Sequence, residues 1–457
     1  MNFKPFPYIP PIQIFKKIHK KFETAYILES VIGPKKLAQY SFIGFEPKII
    51  LKAKGKELEI KDCKESFIKR KNVEDPLCII KEMQRGFIHD QRWSRLIGGA
   101  VGYVSYDAIE YWERIESSKN DLDFPYMEFG IFDDGIAFDH INHQAFYYFQ
   151  EEDRSKEIKS ALEEPENIDD LYYSQPKVNI EIDSFREKVL KVKDYIFSGD
   201  IFQAVLSKRY EFKIKGDLIH FYESLRRINP SPYMYFMKMS DRQIVGSSPE
   251  MLVRVDDGIV ETFPIAGTRP KLKDKTMNDI VQKELLIDPK ECAEHVMLVD
   301  LARNDIGKVC EFGSVHVPEF MRVHQYSHVQ HIVSRVLGKL REGKDAFDVF
   351  RGVFPAGTVT GAPKIRAMEI IDELEPSRRG PYAGAIGYFS NNGNADFAIT
   401  IRTLVANKDR AYIQVGAGIV ADSNPLKEWL ETEYKAEALM KALESSGRVL
   451  GEDPHNR

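Results

Sequence analysis

Glu291-Cys-Ala-Glu-His-Val-Met-Leu-Val-Asp-Leu-Ala-Arg-Asn-Asp305 is the stretch around which the chain can be read. At 3.6 residues per turn, Ala293, Val296, Met297 and Leu301 form an apolar stripe, with Glu291, Glu294 and His295 on the neighbouring face. The pattern predicts a largely buried helix. Carboxylates on such a helix are costly unless paired, protonated or bound to a metal. A second pair stands near the end of the chain. Asp422-Ser423-Asn424 offers caps and Pro425 a first-turn residue, and the following helix aligns Glu428, Glu431 and Lys435 on a stripe that runs into Ala438 and Ala442. Four carboxylates from two distant helices, with a lysine beside them, suit a Mg²⁺ site that keeps room for an anion. Either pair alone would read as ordinary surface charge, so the rest of the chain has to decide.

The 457 residues suffice for a large core, and a formal charge of -5 offers no basic face for a nucleic acid. Cys63, Cys78, Cys292 and Cys310 have neither metal-ligand spacing nor the number for a disulfide scaffold, which points to a reducing cytoplasm. The opening Met-Asn-Phe-Lys-Pro-Phe-Pro lacks an apolar signal core, and no run approaches the roughly 20 apolar residues of a membrane helix.

Strands are predicted over Ala25–Leu28, Tyr40–Phe45, the glycine-rich Ile97–Tyr103, Phe129–Phe138 and Ala145–Phe149, a mainly antiparallel first half. No Gly-x-Gly-x-x-Gly turn joins a strand to a helix, so a dinucleotide fold is not expected. Residues 151–177 carry nine acidic against four basic side chains, and 151–180 reads as a polar linker of exposed helix and loop. It divides a 1–150 N-terminal region from a 181–450 catalytic region. In the second region Ile201–Ser207 is a strand whose central Gln203 either enters a cavity or sits at an edge. Gly246–Glu250 and Pro264–Pro270 read as tight turns, Ile332–Leu337 as strand or helix, and His331 before it is compatible with a hydrogen-bonded core histidine. Pro355–Lys364 is a glycine-rich turn at a helix start, a setting for an anion but not a Walker loop. Pro381–Tyr388, Ala398–Thr403 and Ile413–Val420 are strands with small residues where a ligand can approach.

Three of these stretches, Pro264-Ile-Ala-Gly-Thr-Arg-Pro270, Glu294–Asp305 and Gly357-Thr-Val-Thr-Gly-Ala-Pro-Lys364, resemble the chorismate-utilising enzymes, most closely the anthranilate synthase component I branch. Ile27-Leu28-Glu29-Ser30 and Tyr40–Gly44 extend the likeness to the N-terminal region, with Ile27 where Leu is usual. The resemblance implies an α/β (α+β) fold of two large packed antiparallel β-sheets flanked by helices. It implies Mg²⁺ on Glu294 and Glu431 directly, and on Glu291 and Glu428 through water. Arg402, Lys435, Tyr382 and the backbone of Gly416, Ala417 and Gly418 match the positions that hold the carboxylates of chorismate, and Gly267 and Thr268 also match the substrate site. Glu250 matches the general acid, and His331 and Thr358 match residues at the ring and enolpyruvyl group. Gln203 replaces the lysine base of the water-adding members, and Ala266 the lysine nucleophile of aminodeoxychorismate synthase, the nearest alternative. The implied reaction is amination of chorismate followed by loss of pyruvate. Ammonia would come from a separate glutamine amidotransferase subunit (component II) in a hetero-oligomer. Glu29, Ser30, Ser41, Pro232, Tyr233 and Met234 match a feedback site for L-tryptophan. A tryptophan-binding regulator without catalysis is the rival from another class.

Overall fold

The apolar runs in the first half are continuous rather than alternating, as in Thr24–Glu29 and Gly99–Val104, both buried along almost their whole length. Strands with that pattern have both faces covered, and the computed structural model supplies the covers: helices outside and a second sheet inside. It describes residues 1–31, 39–65, 67–84, 95–115, 119, 123–272, 274–325 and 329–451.

Two large sheets carry the fold. Along the first, the order is Asn2–Phe6, Gln144–Phe149, Asp134–Asp139, Tyr40–Phe45, Thr24–Glu29, Tyr233–Met239, Arg242–Ser248, Thr403–Asn407, Arg410–Ile419, Gln203–Lys215, Leu171–Tyr173 and Gly447–Val449. Along the second it is Ile265–Pro270, Val329–Lys339, Ile259–Thr262, Met251–Asp256, Ala395–Ile399, Ala385–Ser390, Gly99–Val104, Met127–Phe132, Ile49–Lys54, Glu57–Asp62 and Phe67–Asn72. Neighbours run antiparallel, except Leu171–Tyr173 beside Gly447–Val449. Strands from both ends of the sequence share each sheet. The 151–180 segment holds a mostly exposed helix, Ser155–Glu163, and the strand Leu171–Tyr173 that joins the first sheet.

Tyr26, Phe42, Tyr235 and Tyr412 of the first sheet pack against Tyr103, Phe132, Ile386 and Tyr388 of the second, forming the layer between them. On the outer face of the second sheet, Phe350 stacks on Phe354 at 5.2 Å and meets Phe397 edge-on at 4.8 Å. Burial of each such ring contributes about 1.5–3 kcal/mol. Among the described residues no helix is long and apolar enough to cross a membrane.

Three local expectations are corrected. The Pro289–Gly307 helix does not bury Ala293 and Val296, which is 40% exposed; it turns His295, Leu298, Val299 and Ile306 inward. Apolar residues occur nearly all round this helix, so the partner surface selects the stripe, and that surface is the Ile265–Pro270 and Val329–Lys339 strands with the Ala346–Val353 helix. Ile265–Pro270 is a strand with a bulge between Ala266 and Thr268 rather than a tight turn. The run 398–403 is two strands, broken at Arg402, whose φ of 51° is left-handed.

Candidate active site

The site lies where one end of the first sheet meets the Pro289–Gly307 and Pro425–Ser446 helices. Gln203 opens the Gln203–Lys215 strand and is 3% exposed, its amide passing over the backbone of Gly418. Nε2 donates to Glu294 Oε1 at 3.3 Å, while the buried Oε1 has no hydrogen-bond partner among the described residues. That answers the open question about Gln203: its side chain points inward, with one buried polar atom for a ligand to satisfy.

Asp288 caps the Pro289–Gly307 helix through the amides of Lys290 and Glu291. Glu291 is held by Arg269 at 2.9 Å, and Arg269 also reaches Asp288 at 3.0 Å. Gly267, at φ 61°, lets its strand pass beside this pair, since a Cβ would stand 3.0 Å from Glu291 Oε2. Across the site Asn424 caps the second helix, accepting from the amides of Leu426 and Lys427. Glu428 is buried, whereas Glu431 and Lys435 are half-exposed and paired at 2.7 Å, so their stripe is not closed over. Lys435 Nζ also donates to the Gly416 carbonyl at 2.8 Å.

The carboxylates of the two helices feel one another. Burial, then Glu291, raises the Glu294 carboxyl, with Glu431 adding to the rise; burial and Glu431 likewise raise Glu428. Hard oxygen donors that repel one another suit a divalent cation in chemistry. Among the described residues, however, no three such side chains stand close enough as placed to hold a metal. The expected four-carboxylate cluster is therefore not closed, and two of its members are engaged elsewhere, Glu291 with Arg269 and Glu431 with Lys435.

Glu250, between the Arg242–Ser248 and Met251–Asp256 strands, is 8% exposed, and burial pushes its carboxyl up to about 7 against the opposing pull of Thr358, Arg402 and Lys435. His331 is 6% exposed and sits across the ladder from Thr268. Its Nδ1 lies 3.0 Å from the Gly267 carbonyl, which can only accept, so the ring carries its proton there; burial, then Arg402, lowers its pKa to about 4. Tyr382 is buried, its hydroxyl so close to Gly416 that a Cβ there would stand 2.7 Å away. Ala266 is buried beside the bulge, a methyl group with no nucleophile. Ala417 differs from its glycine neighbours, since its methyl packs away from the site with Val189, Leu206 and Ile370.

The structure thus brings Gln203, Glu250, Gly267, Glu291, Glu294, His331, Thr358, Tyr382, Arg402, Gly416, Gly418, Glu428, Glu431 and Lys435 together. Arg269 and Lys290, the latter within electrostatic reach of both helices' glutamates, were missed by the sequence reading. Lys290 directly precedes Glu291 and had a signal in that adjacency.

The residues expected to form a tryptophan site divide between two faces. Leu28, Glu29, Ser30, Tyr40, Phe42, Tyr233, Met234, Arg95 and Tyr388 line a cavity that reaches between the sheets. Ser30 Oγ donates to the Pro232 carbonyl at 2.8 Å, and Tyr233 donates to Asp396 at 3.0 Å. Ser41 is not part of the cavity lining; it is fully buried, sharing a 2.6 Å hydrogen bond with His140. Glu29, expected to offer its carboxylate to an ammonium, already accepts from Arg226 through both oxygens at 2.9 Å and from Tyr222 at 3.1 Å. The segment 32–38, which follows Glu29 and Ser30, lies outside the described residues.

A carboxyl raised by burial thus stands within electrostatic reach of two cations, Arg402 and Lys435, with the glutamates of two acidic helices nearby. The sequence matches the description of chorismate binding enzymes over residues 25–441, and the chain belongs to that family. It is 49% identical to anthranilate synthase component 1 of Methanothermobacter marburgensis, over 98% of this chain and 95% of that protein. It is 43% identical to anthranilate synthase component 1 of Aquifex aeolicus, over 95% and 92%. Among solved structures, anthranilate synthase component I from Streptococcus pneumoniae superposes with a TM-score of 0.78 at 37% identity, covering 90% of this chain and 94% of that one. The menaquinone-specific isochorismate synthase of Escherichia coli, at 17% identity and TM-score 0.72 over 97% and 94%, shares the fold.

Proposed function

We propose that the chain is the chorismate-aminating component of an anthranilate synthase, converting chorismate and ammonia to anthranilate and pyruvate on the route to tryptophan. The observation that carries this reading is the environment of Gln203. A neutral amide, tied to Glu294 and with one unsatisfied buried oxygen, stands where a water-adding enzyme needs a base, so it cannot activate water but can hold ammonia or the ring beside it.

In this reading Arg402, Lys435 and Tyr382 hold the substrate's carboxylates, and the unsubstituted backbone of Gly416 and Gly418 gives them access. Glu294 and Glu431 would hold Mg²⁺ directly and Glu291 and Glu428 through water, with Glu291 and Glu431 giving up their present pairing with Arg269 and Lys435. A metal held there would supply positive charge against a substrate carboxylate. Ammonia adds at C2 as the C4 hydroxyl departs as water, taking its proton from Glu250, whose carboxyl burial pushes up to about 7 so that a large share of it still carries a proton near neutral pH. The C2 proton and the enolpyruvyl group then leave as the ring becomes aromatic. His331, with its Nδ1 proton committed to Gly267, offers a lone pair on Nε2 for that step. Ala266 provides no covalent alternative to free ammonia.

Nothing described in the chain releases ammonia from glutamine. Burial raises the thiols of Cys63 and Cys78 and pushes Cys310 up to about 11, the reverse of an activated nucleophile. We therefore infer a separate amidotransferase subunit. The cavity between the sheets is read as a tryptophan site, with the indole among Tyr40, Phe42, Tyr233 and Tyr388, and the amino-acid end toward Ser30, Glu29 and Arg95. The test supplies the purified chain with chorismate, Mg²⁺ and either ammonium or glutamine, following anthranilate fluorescence and pyruvate together. Anthranilate and pyruvate in equal amounts from ammonium but not glutamine support the reading. Amination without pyruvate release would assign the chain to aminodeoxychorismate formation, and equal rates with glutamine would remove the second subunit.

A further inference from the structure

We propose that Arg379, which none of the substrate assignments includes, is the positioning residue that fixes Thr358 and Gln203 relative to Tyr382. The guanidinium is 2% exposed and every bond it makes runs to one of three elements. Nη1 donates to the Val359 carbonyl at 2.7 Å, one residue from Thr358 in the glycine-rich turn. Nη2 donates to the Val205 carbonyl at 2.7 Å, two residues along the strand from Gln203. Nε and Nη2 together hold Glu375 at 2.9 and 2.7 Å. The cation lies over the Tyr382 ring, 5.6 Å from its centre, and 4.7 Å from that of Tyr106.

The node extends further. Glu375 Oε1 also accepts from the amide and hydroxyl of Ser207 at 2.8 and 2.6 Å, and Val205 N donates to the Thr360 carbonyl at 2.8 Å. The turn and the strand are therefore tied to each other directly, and this buried fork with its carboxylate joins both of them to the segment leading into Tyr382, where Arg209 of the same strand also donates to the Arg378 carbonyl. A planar guanidinium with fixed donor directions transmits distance as well as charge, which a lysine at the same place would not. Breaking a buried charge pair is expensive, so the arrangement is expected to have one geometry rather than several.

The proposal rests on the functional reading above and deepens it: Arg379 acts through the residues that contact chorismate and touches no substrate itself. The experiment is steady-state kinetics of Arg379→Lys with chorismate and ammonium, alongside circular dichroism and thermal melting. The expected result is a rise of roughly tenfold or more in KM for chorismate in protein that melts cooperatively, with KM for ammonium changed less. In a Thr358→Val background the Arg379→Lys substitution should cost measurably less than in the native chain, because both act at one contact. A folded Arg379→Lys protein with unchanged KM for chorismate, or costs that simply multiply in the double variant, would overturn the proposal. Should Arg379→Lys not fold, Ser207→Ala decides, since it loosens the same node while leaving the guanidinium: a raised KM for chorismate supports the assignment and an unchanged one refutes it. Turnover by the unsubstituted chain tests the functional reading independently of either variant.

Discussion

In the proposed reaction Glu250 and Gln203 concentrate the chemistry at the scale of single residues. With its carboxyl held at about 7 by burial, Glu250 is mostly protonated below that pH and ionised above it. A general acid works in its protonated form, so kcat/KM for chorismate is expected to be level in mildly acidic buffer and to fall as pH rises through about 7. Glu250→Gln should lower kcat by about 10²–10⁴-fold with a much smaller change in KM, and a variant retaining most of its turnover would rule out the role. A methyl group on Gly418 would stand 2.6 Å from Gln203 Nε2, the end of a flexible side chain, so Gly418→Ala should fold normally but displace the amide. Reduced amination with an unchanged melting temperature is the expected outcome. Glu250 and Gln203 were singled out by the family resemblance rather than by their neighbours: the strand around Gln203 left cavity and edge open, and Gly246–Ser248, expected as a tight turn, belong to the Arg242–Ser248 strand. Arg379 was not singled out, because Arg378-Arg379-Gly380 reads as a charged surface turn until its acceptors, distant in sequence, are in place.

The two acidic helices are the elements on which the metal proposal depends. Each begins with an Asx cap and a proline; the start at Asn424-Pro425 was read from the sequence, and Asp288-Pro289 carries the same signal, seen only once the structure placed it. Which way they face was not equally readable. In Pro425–Ser446 the buried line runs through Glu428, Thr432, Ala436 and Leu439, leaving Glu431 and Lys435 half-exposed beside it. In Pro289–Gly307 an almost uniform scatter of apolar residues left two stripes in competition, and the sheet beneath chose the one containing His295 and Leu298. If the glutamates exchange their protein cations for Mg²⁺, Glu431→Gln should weaken Mg²⁺ binding by at least about tenfold, measured by calorimetric titration rather than by activity alone. Undiminished Mg²⁺ affinity would remove Glu431 from the ligand set.

For the molecule as a whole, both sheets draw strands from both ends of the sequence, which sets the cavity between the sheets and the candidate active site into one continuous framework. Ligand bound only by the folded chain stabilises it, by about 2.7 kcal/mol at a hundredfold excess over Kd. L-Tryptophan is therefore expected to raise the melting temperature and to inhibit turnover, and Tyr40→Ala, which strips an aromatic wall from the cavity, should reduce both effects while sparing uninhibited activity. A thermal shift that survives this substitution would move the binding site elsewhere. The sequence by itself determined the strands, the helix caps and the residue types of the site, because propensity, capping and turn chemistry act over a few neighbours. Only the tertiary structure decided that Ser41 turns to His140 while Tyr40 enters the cavity, that Glu29 is already held by Arg226, and that Arg269 and Lys435 occupy glutamates expected to bind a metal. Those outcomes depend on which groups meet across a hundred residues or more, or on which of several equally good local partners lies nearest once the chain has folded.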